Sequence, residues 1–504
     1  MRLLPFIGAA LAFAACGDPQ QTTVVASCIA GQSIACDGVG ACPGVQVCKS
    51  DGTFDACVCP DASVPTDSGP PDSGPPDVGV DTGKEASVDA TPDVVEASAP
   101  DAGPTGWGIP FGGSSTSSTC VAIDANKNVL VGGSGDAATL TKLDVNGLMI
   151  WQKWFGDVRA VVVDSTGASI VTATVTAGTD LGGGPLAASG VVIAKFDTNG
   201  VYQWKYGPFT SVYFRGLAAR PNGNLVAVGM LQASVNLGSG TIAPNGLQDA
   251  LLVELTSAGA LVRAKQWGDG GSQSLDAVTL DSTGNIIVGG SAESSIDFGG
   301  GAMTGPSSGS GSHNVFIAKL DPNAAFLKQR STGATGQDSV ESLAVDATGR
   351  VLFNGGLRTT MNLGGATITA VAGVDIVLAA LDTNLTEVWS KRYGTSGGQI
   401  ANGLSPDPGG GFAIVGFSSG ALSFGLGGLP SNQQFAYTAR FDANGTPVSN
   451  YGWAGGGILN GIGYLTSSDF VVVGQCYAPF LQFPWGKMKC PANNGSGYAV
   501  RMSP

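Results

Sequence analysis

An aromatic residue followed by glycine recurs along most of this chain. The pairs are Phe111-Gly112, Phe155-Gly156, Tyr206-Gly207, Trp267-Gly268, Tyr393-Gly394 and Tyr451-Gly452, with Thr332-Gly333 filling the one gap. The intervals between them are 44, 51, 61, 65, 61 and 58 residues. A period of this length, in a Gly-rich sequence with alternating apolar residues, is typical of the blades of a β-propeller.

Each repeat contains four strand-like phrases in one order. In one unit they lie at 340–345, 351–354, 375–381 and 387–393, separated by turns rich in Asp, Asn and Gly. Short β-branched and aromatic runs between such turns predict strands joined by hairpins. No long helical periodicity interrupts them, so the predicted fold class is all-β.

The turn after the first phrase counts the blades. It recurs at Asp124, Asp164, Arg220, Asp281, Asp346 and Asp407, and a final unit runs from about Tyr464 to Arg501. This predicts a seven-bladed β-propeller of four-stranded blades over residues 105–504. The final unit ends after its third phrase, whereas the phrase at 107–111 stands alone. We expect this N-terminal strand to complete the last blade, which removes the open edge of the ring.

Residues 107–504 resemble the SBBP-type β-propeller repeats of bacterial exported proteins. The resemblance rests on the aromatic-Gly pairs, on the first turns quoted above, and on a second recurring turn of the type Asp297-Phe-Gly-Gly-Gly. It covers about four fifths of the chain. It implies fold and export. Because these motifs serve turns and packing, they indicate little about a ligand.

The N-terminus predicts export. Met1-Arg2 precedes an apolar run from Leu3 to Ala15, which is too short to span a bilayer as a mature helix and is typical of a secretory signal at 1–15. The run ends Phe13-Ala14-Ala15-Cys16 and resembles a lipobox, which implies cleavage before Cys16 and lipidation of its thiol. Gly17 then indicates the outer membrane or cell surface. Ordinary cleavage with release is the alternative.

Cysteines cluster in the exported leader, which we assign to residues 16–59. An oxidising compartment favours three disulfides among them, of unknown pairing, over a zinc site without histidine. Cys476 and Cys490 flank a hairpin of the last blade and are expected to pair, which leaves Cys120 as a buried free thiol. The leader cysteines are Cys28, Cys36, Cys42, Cys48, Cys57 and Cys59.

Residues 60–104 consist mainly of Pro, Asp, Ser, Gly and Val and contain no aromatic residue. Such a composition cannot bury a core, so we expect a disordered acidic linker. The linker carries a net charge of −9 of the chain's −14, and the first 59 residues carry −2, which leaves about −3 for the propeller. This balance argues against nucleic acid as a partner.

Little in the chain points to catalysis. The single histidine, His313, is expected to be a solvated loop residue, so neither a Ser-His-Asp triad nor a His-based metal cluster is predicted. The Asp turns lack the dense carboxylate spacing of a calcium loop, although calcium stays an alternative. We predict no cofactor and no metal.

One set of polar residues stands at the same place in every blade, five residues before the first turn. In a propeller this level lies near the mouth of the central channel, and we take it as the candidate ligand-binding site. Two arginines followed by two acids would make a polarised ring, unless Arg215 and Asp276 merely neutralise each other. The positions are Thr119, Arg159, Arg215, Asp276, Glu341, Asn402 and Asn460.

Three hypotheses about function follow. The first, which we prefer, is a lipid-anchored monomer that displays a non-enzymatic propeller to a protein or glycan partner. The second is a carbohydrate-active hydrolase or lyase that uses Asp276 and Glu341 at the channel mouth. The third is a structural stalk without a specific ligand.

Overall fold

The computed structural model describes residues 33–37, 43–47, 106–111, 116–135, 139–305, 312–333, 336–430, 433–454, 457–483, 486–490 and 495–503. Contacts divide the chain into two units, Met1–Val95 and Glu96–Pro504. In the first unit, strands Ser33–Asp37 and Pro43–Val47 form an antiparallel pair. Across the described ranges there is no helix that is long and apolar enough to cross a membrane.

The second unit is an all-β propeller of seven four-stranded antiparallel blades, as the sequence predicts. Blades 1 to 4 contain, in order, strands Ser117–Ile123, Val129–Ser134, Thr139–Leu143 and Met149–Trp154; Asp157–Val163, Ser169–Val175, Gly190–Phe196 and Tyr202–Phe209; Val212–Ala219, Leu225–Leu231, Asp249–Leu255 and Leu261–Trp267; Gln273–Leu280, Ile286–Ala292, Asn314–Leu320 and Phe326–Ser331.

Blades 5 to 7 follow the same order. Their strands are Ser339–Val345, Val351–Leu357, Asp375–Leu381 and Glu387–Tyr393; Gln399–Pro406, Phe412–Ser418, Phe435–Phe441 and Pro447–Ala454; Gly457–Tyr464, Phe470–Cys476, Ser496–Met502 and Trp107–Phe111. In the described part of the chain, short hairpins join strands two and three in four blades. They are Val235–Asn236 with Thr241–Ile242, Ser295–Ile296 with Met303–Thr304, Thr360–Met361 with Ile368–Thr369, and Phe480–Phe483 with Gly486–Lys489.

The N-terminal strand closes the ring as predicted. Trp107–Phe111 pairs antiparallel with Ser496–Met502, so that Trp107 lies opposite Arg501 and Phe111 opposite Gly497. The first strands of successive blades contact one another, and the first strand of blade 7 contacts that of blade 1. These strands therefore form a complete inner ring.

The apolar core lies between blades. Seven buried clusters are found in the described residues, one for each pair of neighbouring blades. Between blades 3 and 4, for example, Val228 and Leu252 pack against Leu275 and Phe316, all fully buried. Burying one such large side chain contributes about 1.5–3 kcal/mol, so each interface is held mainly by the hydrophobic effect.

Four tryptophans on outermost strands each join their own blade to the following one. Each indole N–H donates to a carbonyl oxygen in the last turn of the following blade. The bonds are Trp107 to Val145 at 3.0 Å, Trp151 to Thr198 at 3.0 Å, Trp204 to Ser257 at 2.9 Å and Trp389 to Ala443 at 3.4 Å.

The glycine of the recurring aromatic-Gly pair has a steric cause in two blades. Gly268 packs directly against the carboxylate of Asp249, and Gly394 packs in the same way against Asp375. Both acids are fully buried at the start of a third strand. A Cβ at either glycine would collide with the carboxylate, so a larger residue there would displace the buried acid.

A buried ion pair stabilises the inner turn of every blade. The acid usually lies in the first turn and the cation on the third strand. The pairs are Lys142–Asp124, Lys195–Asp164, Arg220–Glu254, Lys319–Asp281, Arg350–Asp346, Arg440–Asp407 and Arg501–Asp469, all with N–O distances of 3.2 Å or less.

Blades 3 and 5 depart from this pattern in compensating ways. In blade 3 the signs are exchanged, because Arg220 stands in the turn and Glu254 on the third strand. In blade 5 the third strand offers Ala380, and Arg350 supplies the cation from within the turn itself. Charge neutrality at this place is therefore kept although the residues differ.

Candidate functional site

A β-bulge places each candidate residue. In every blade the pairing of strands one and two shifts by one residue at the same position, and the skipped residue is the predicted one. The bulged residues are Thr119, Arg159, Arg215, Asp276, Glu341, Asn402 and Asn460. A bulge leaves its residue outside the ladder and re-aims the side chain. We call this set the bulge ring.

Three uncharged members of the bulge ring connect neighbouring blades. The Asn402 amide donates to the carbonyl oxygen of Leu459 at 2.7 Å, and the Asn460 amide donates to that of Ser118 at 2.9 Å. The Thr119 hydroxyl contacts the carbonyl oxygen of Val158 at 2.5 Å. These side chains therefore hold the inner strands of blades 6, 7, 1 and 2 together, and the donors of the two amides are occupied.

The charged members lie in blades 2 to 5, and we call Arg159, Arg215, Asp276 and Glu341 the charged arc. Arg215 Nη1 lies 3.0 Å from Asp276 Oδ1, so this arginine and this acid do pair across two blades. The side chain of Arg215 is 53 % exposed and that of Asp276 only 10 %. Arg159 is 58 % exposed, and its closest described carboxylate oxygen, on Asp157, is 3.8 Å away.

Asp276 has an unusual electrostatic environment. Burial raises the pKa of its carboxyl, the Arg215 charge and the Ser274 hydroxyl lower it, and the Glu341 charge raises it again; the net pKa lies above the ordinary value. An electrostatic interaction with His313 also lowers the pKa of Asp276. The two acids of the charged arc therefore influence each other electrostatically.

Two serines support the acids and were not singled out from the sequence. The Ser274 hydroxyl donates to Asp276 Oδ1 at 3.0 Å, and the Ser339 hydroxyl donates to Glu341 Oε1 at 2.6 Å. The signal was present, because a Ser-x-acid pattern occurs at this place in two successive blades. In both blades the hydroxyl therefore reaches the carboxylate of the bulged residue two positions further along the strand.

His313 is not the solvated loop residue that the sequence suggested. It is half-buried, forms a bridge with Gln337, and its backbone N–H donates to the carbonyl oxygen of Gly336 at 2.8 Å. The sequence before it is rich in Gly and Ser, which favoured the interpretation as an exposed position. Contact with the following blade instead holds it near the charged arc.

The Asp turns are explained by hydrogen bonding. Asp281 Oδ1 accepts the backbone N–H groups of Thr283 and Asn285 at 3.0 and 2.9 Å, and Lys319 pairs with its other oxygen at 2.9 Å. Burial raises the pKa of this carboxyl, but these hydrogen bonds outweigh it and hold the net pKa below the usual range. No group of three metal-ligating side chains is found in the described residues.

One shallow depression of about 300 Å³ lies away from the bulge ring, beside the first and last turns of blade 6. Asp407 and Arg440 line it, and these two residues already form an ion pair at 3.2 Å. The depression therefore offers no free charged group from this pair.

The cysteine predictions for the propeller can be compared with the structure, whereas those for the leader cannot. The Cys476–Cys490 disulfide is present, and Cys120 has a free thiol whose burial raises its pKa to about 12. Cys16 and the predicted leader bridges fall outside the described residues. Cys36 lies in a described strand, but its side chain is not described.

No family model matches the sequence, and no characterised protein matches it significantly. Solved structures with similar folds include virginiamycin B lyase from Staphylococcus aureus, at 10 % identity and a TM-score of 0.44, covering 80 % of this chain and 99 % of that one. A protein of unknown function from Bacteroides caccae is similar at 14 % identity and a TM-score of 0.36, over 64 % and 93 % of the two chains.

The Pan2 WD40 domain of Neurospora crassa is a third similar structure, at 9 % identity and a TM-score of 0.41, covering 77 % of this chain and 89 % of that one. Enzymes and a WD40 domain thus both stand among the similar structures. At these identities the likeness concerns the propeller fold and carries no functional assignment.

Proposed function

We propose that this chain is an exported, lipid-anchored protein whose propeller is a non-enzymatic binding module, with the charged arc as its ligand site. The observation that supports it is the bulge ring. Seven bulges at one level project seven polar side chains. The three uncharged side chains make inter-blade bonds, whereas the side chains of Arg159 and Arg215 are more than half exposed. A rigid ring that presents exposed guanidinium groups is suited to recognition of a polar partner, protein or glycan.

Binding is tested with the purified full-length protein on a glycan array and by titration with each hit. We expect Arg215→Gln and Glu341→Gln to weaken binding by about tenfold or more, because each removes a charged hydrogen-bonding group. Lys205→Gln, on the exposed outer strand of blade 2, is the matched control. Binding that both arc variants leave unchanged contradicts the placement of the site.

The membrane anchor is a separate part of the proposal. The lipobox-like sequence at Phe13–Cys16 supports it. Labelled palmitate should be incorporated into the wild-type chain and not into Cys16→Ser, and the labelled chain should fractionate with the outer membrane. Wild-type protein without label, recovered in the soluble fraction, contradicts this part and leaves the binding site unaffected. We further expect a monomer in light scattering and no binding to nucleic acid.

A second candidate function is a carbohydrate-active hydrolase or lyase. It is favoured by one observation, the electrostatic coupling of Asp276 with Glu341, which helps to raise the pKa of Asp276. A carboxyl with a raised pKa beside an ionised one is the pairing that glycosidases use. A hydrolysis screen with the array hits distinguishes the two: turnover that is lost in Asp276→Asn and in Glu341→Gln supports the enzyme, whereas tight binding without turnover supports the binding module. Absence of both supports a structural stalk.

A further inference from the structure

Arg159 differs from the cations that stabilise the propeller. In the seven turn pairs the side chain of the cation is at most 21 % exposed and lies within 3.2 Å of a carboxylate oxygen. Arg159 is 58 % exposed, and its guanidinium donates no hydrogen bond to any residue in the described ranges. Its one carboxylate neighbour, Asp157, accepts the backbone N–H of Gly135 at 3.0 Å.

Arg215 stands at the same level on the next blade. The first strands of blades 2 and 3 are in contact, and each bulge skips the arginine, so the two guanidinium groups belong to one section of the inner ring. Asp276 holds Arg215 by Nη1 at 3.0 Å. This single bond orients the guanidinium, and its other nitrogen atoms make no hydrogen bond to a described residue.

The acids beside this arginine pair restrict what can bind. Asp276 and Glu341 lie on the two following blades, and each accepts a hydrogen bond from a serine. A peptide with many acidic side chains would be repelled by them. A sugar acid carries one carboxylate per ring, flanked by hydroxyl groups that donate hydrogen bonds, so it complements a cationic half and an acidic half at once.

We propose that the charged arc recognises a uronic-acid glycan, with Arg159 and Arg215 binding its carboxylate and Glu341 accepting hydrogen bonds from its hydroxyl groups. This inference rests on the proposed function of the charged arc as a binding site. It adds the chemical class of the ligand and assigns the main contact to Arg159. Guanidinium groups suit this role because they bind carboxylates through paired, charge-assisted hydrogen bonds.

The test is calorimetric titration of the full-length protein with oligogalacturonate, hyaluronan oligosaccharides and oligomannuronate, and with the methyl ester of each. We expect at least one acid oligosaccharide to bind, its affinity to fall with added salt, and its methyl ester to bind about tenfold or more weakly. Arg159→Gln should reduce affinity to a similar extent. Lys205→Gln and Lys265→Gln, exposed on the outer strands of the same two blades, should have no effect.

Three results overturn this inference. They are equal affinity for acid and ester, full affinity in Arg159→Gln, and absence of binding to all three acid oligosaccharides. In each case a neutral glycan or protein that binds the wild type, and binds Glu341→Gln weakly, would keep the proposed function while removing the acidic ligand. Poly-glutamate is titrated in the same way, and a fourth result, an affinity for it equal to that for the glycans, also overturns the inference. A thermal unfolding midpoint equal to that of the wild type verifies that each variant is folded.

Discussion

The indole N–H of Trp107 donates to the carbonyl oxygen of Val145 at 3.0 Å and thereby joins the outermost strand of blade 7 to the last turn of blade 1. Arg501 Nη1 donates to the same oxygen at 3.1 Å. Two adjacent strands of blade 7 therefore converge on one acceptor in blade 1, at the place where the ring closes.

Replacing Trp107 should loosen the closure more than replacing its equivalents loosens other interfaces. Trp107→Ala removes the hydrogen bond and a large packed ring, at a cost of about 3 kcal/mol. Because the strand at 107–111 is not joined to its sheet neighbour Ser496–Met502 by a hairpin, we expect its amide hydrogen exchange to rise strongly. In Trp151→Ala, the control, the outer strand Met149–Trp154 follows its hairpin partner directly in the chain. Equal exchange increases in the two outer strands would contradict this prediction.

The exchanged pair in blade 3 predicts a charge-reversal rescue. Arg220 and Glu254 lie 3.2 Å apart, and their side chains are 8 % and 4 % exposed. Arg220→Asp and Glu254→Lys should each destabilise the fold by about 3 kcal/mol, because each leaves like charges buried together. The double variant, which restores the order found in blade 4, should recover about 1–2 kcal/mol of this loss in urea unfolding.

Rescue should be incomplete, since Arg220 also donates to the carbonyl oxygens of Gly284 and Pro322, both at 2.9 Å, and an aspartate cannot. Arg263, which lies 3.2 Å from Glu254, would in addition face a lysine in the double variant. Strictly additive losses in the two single variants would show that the pair is not coupled.

Two aspartates should affect stability with opposite dependence on pH. The folded-state pKa of Asp276 is raised by burial, so the folded chain keeps this proton longer than the unfolded chain does. Its contribution to stability is then full below the ordinary Asp pKa and is lost as pH rises through the raised folded pKa. Asp276→Asn should therefore gain stability relative to the wild type as pH rises from about 3 to about 7.

Asp281 behaves in the opposite way. Burial raises its pKa, but the hydrogen bonds from Lys319 and Thr283 lower the pKa by more than burial raises it. The net folded pKa is therefore depressed. Its contribution is present above the ordinary Asp pKa and is lost as pH falls through the folded value. Asp281→Asn should lose stability relative to the wild type as pH rises over the same interval. Urea unfolding at several pH values measures both, and parallel curves would refute the assignment of opposite signs.

The disulfide should stabilise one hairpin locally. Cys476 and Cys490 enclose the hairpin Phe480–Phe483 with Gly486–Lys489. For a loop of this length the chain-entropy contribution is about 3 kcal/mol. The double variant Cys476→Ala/Cys490→Ala should lower the unfolding midpoint and raise proteolytic cleavage between the two positions. Cys120→Ala, which removes the free thiol, is the control. Unchanged proteolysis in the double variant would contradict the prediction.

Much of the fold followed from the sequence because its signals are local. The third strand of blade 5 was predicted at 375–381 and is found at Asp375–Leu381, since an apolar run between turns fixes both ends. The seven-fold count and the closing strand followed from the recurring turns. The positions of the bulge ring also followed, because a polar residue at one offset in every repeat marks one level.

The sequence did not reveal how these residues are held. The bulge depends on the pairing of two strands, which no local pattern specifies. The bridge of His313 with Gln337 and the Thr119 contact with Val158 join different blades, so they appear only in three dimensions. In blade 3 the sequence shows Arg220 in a turn that elsewhere begins with Asp. The sequence does not show its partner, because Glu254 lies on another strand.

The pairing of Trp107–Phe111 with Ser496–Met502 has a consequence for how the chain matures. Six blades can form one after another as the polypeptide emerges, each from consecutive residues. The seventh needs both extremities of the propeller, so its first-made strand waits, unpaired, for the last-made one. Completion of the circle thus requires that the strand Ser496–Met502 has been made, and a product truncated before this strand stays open.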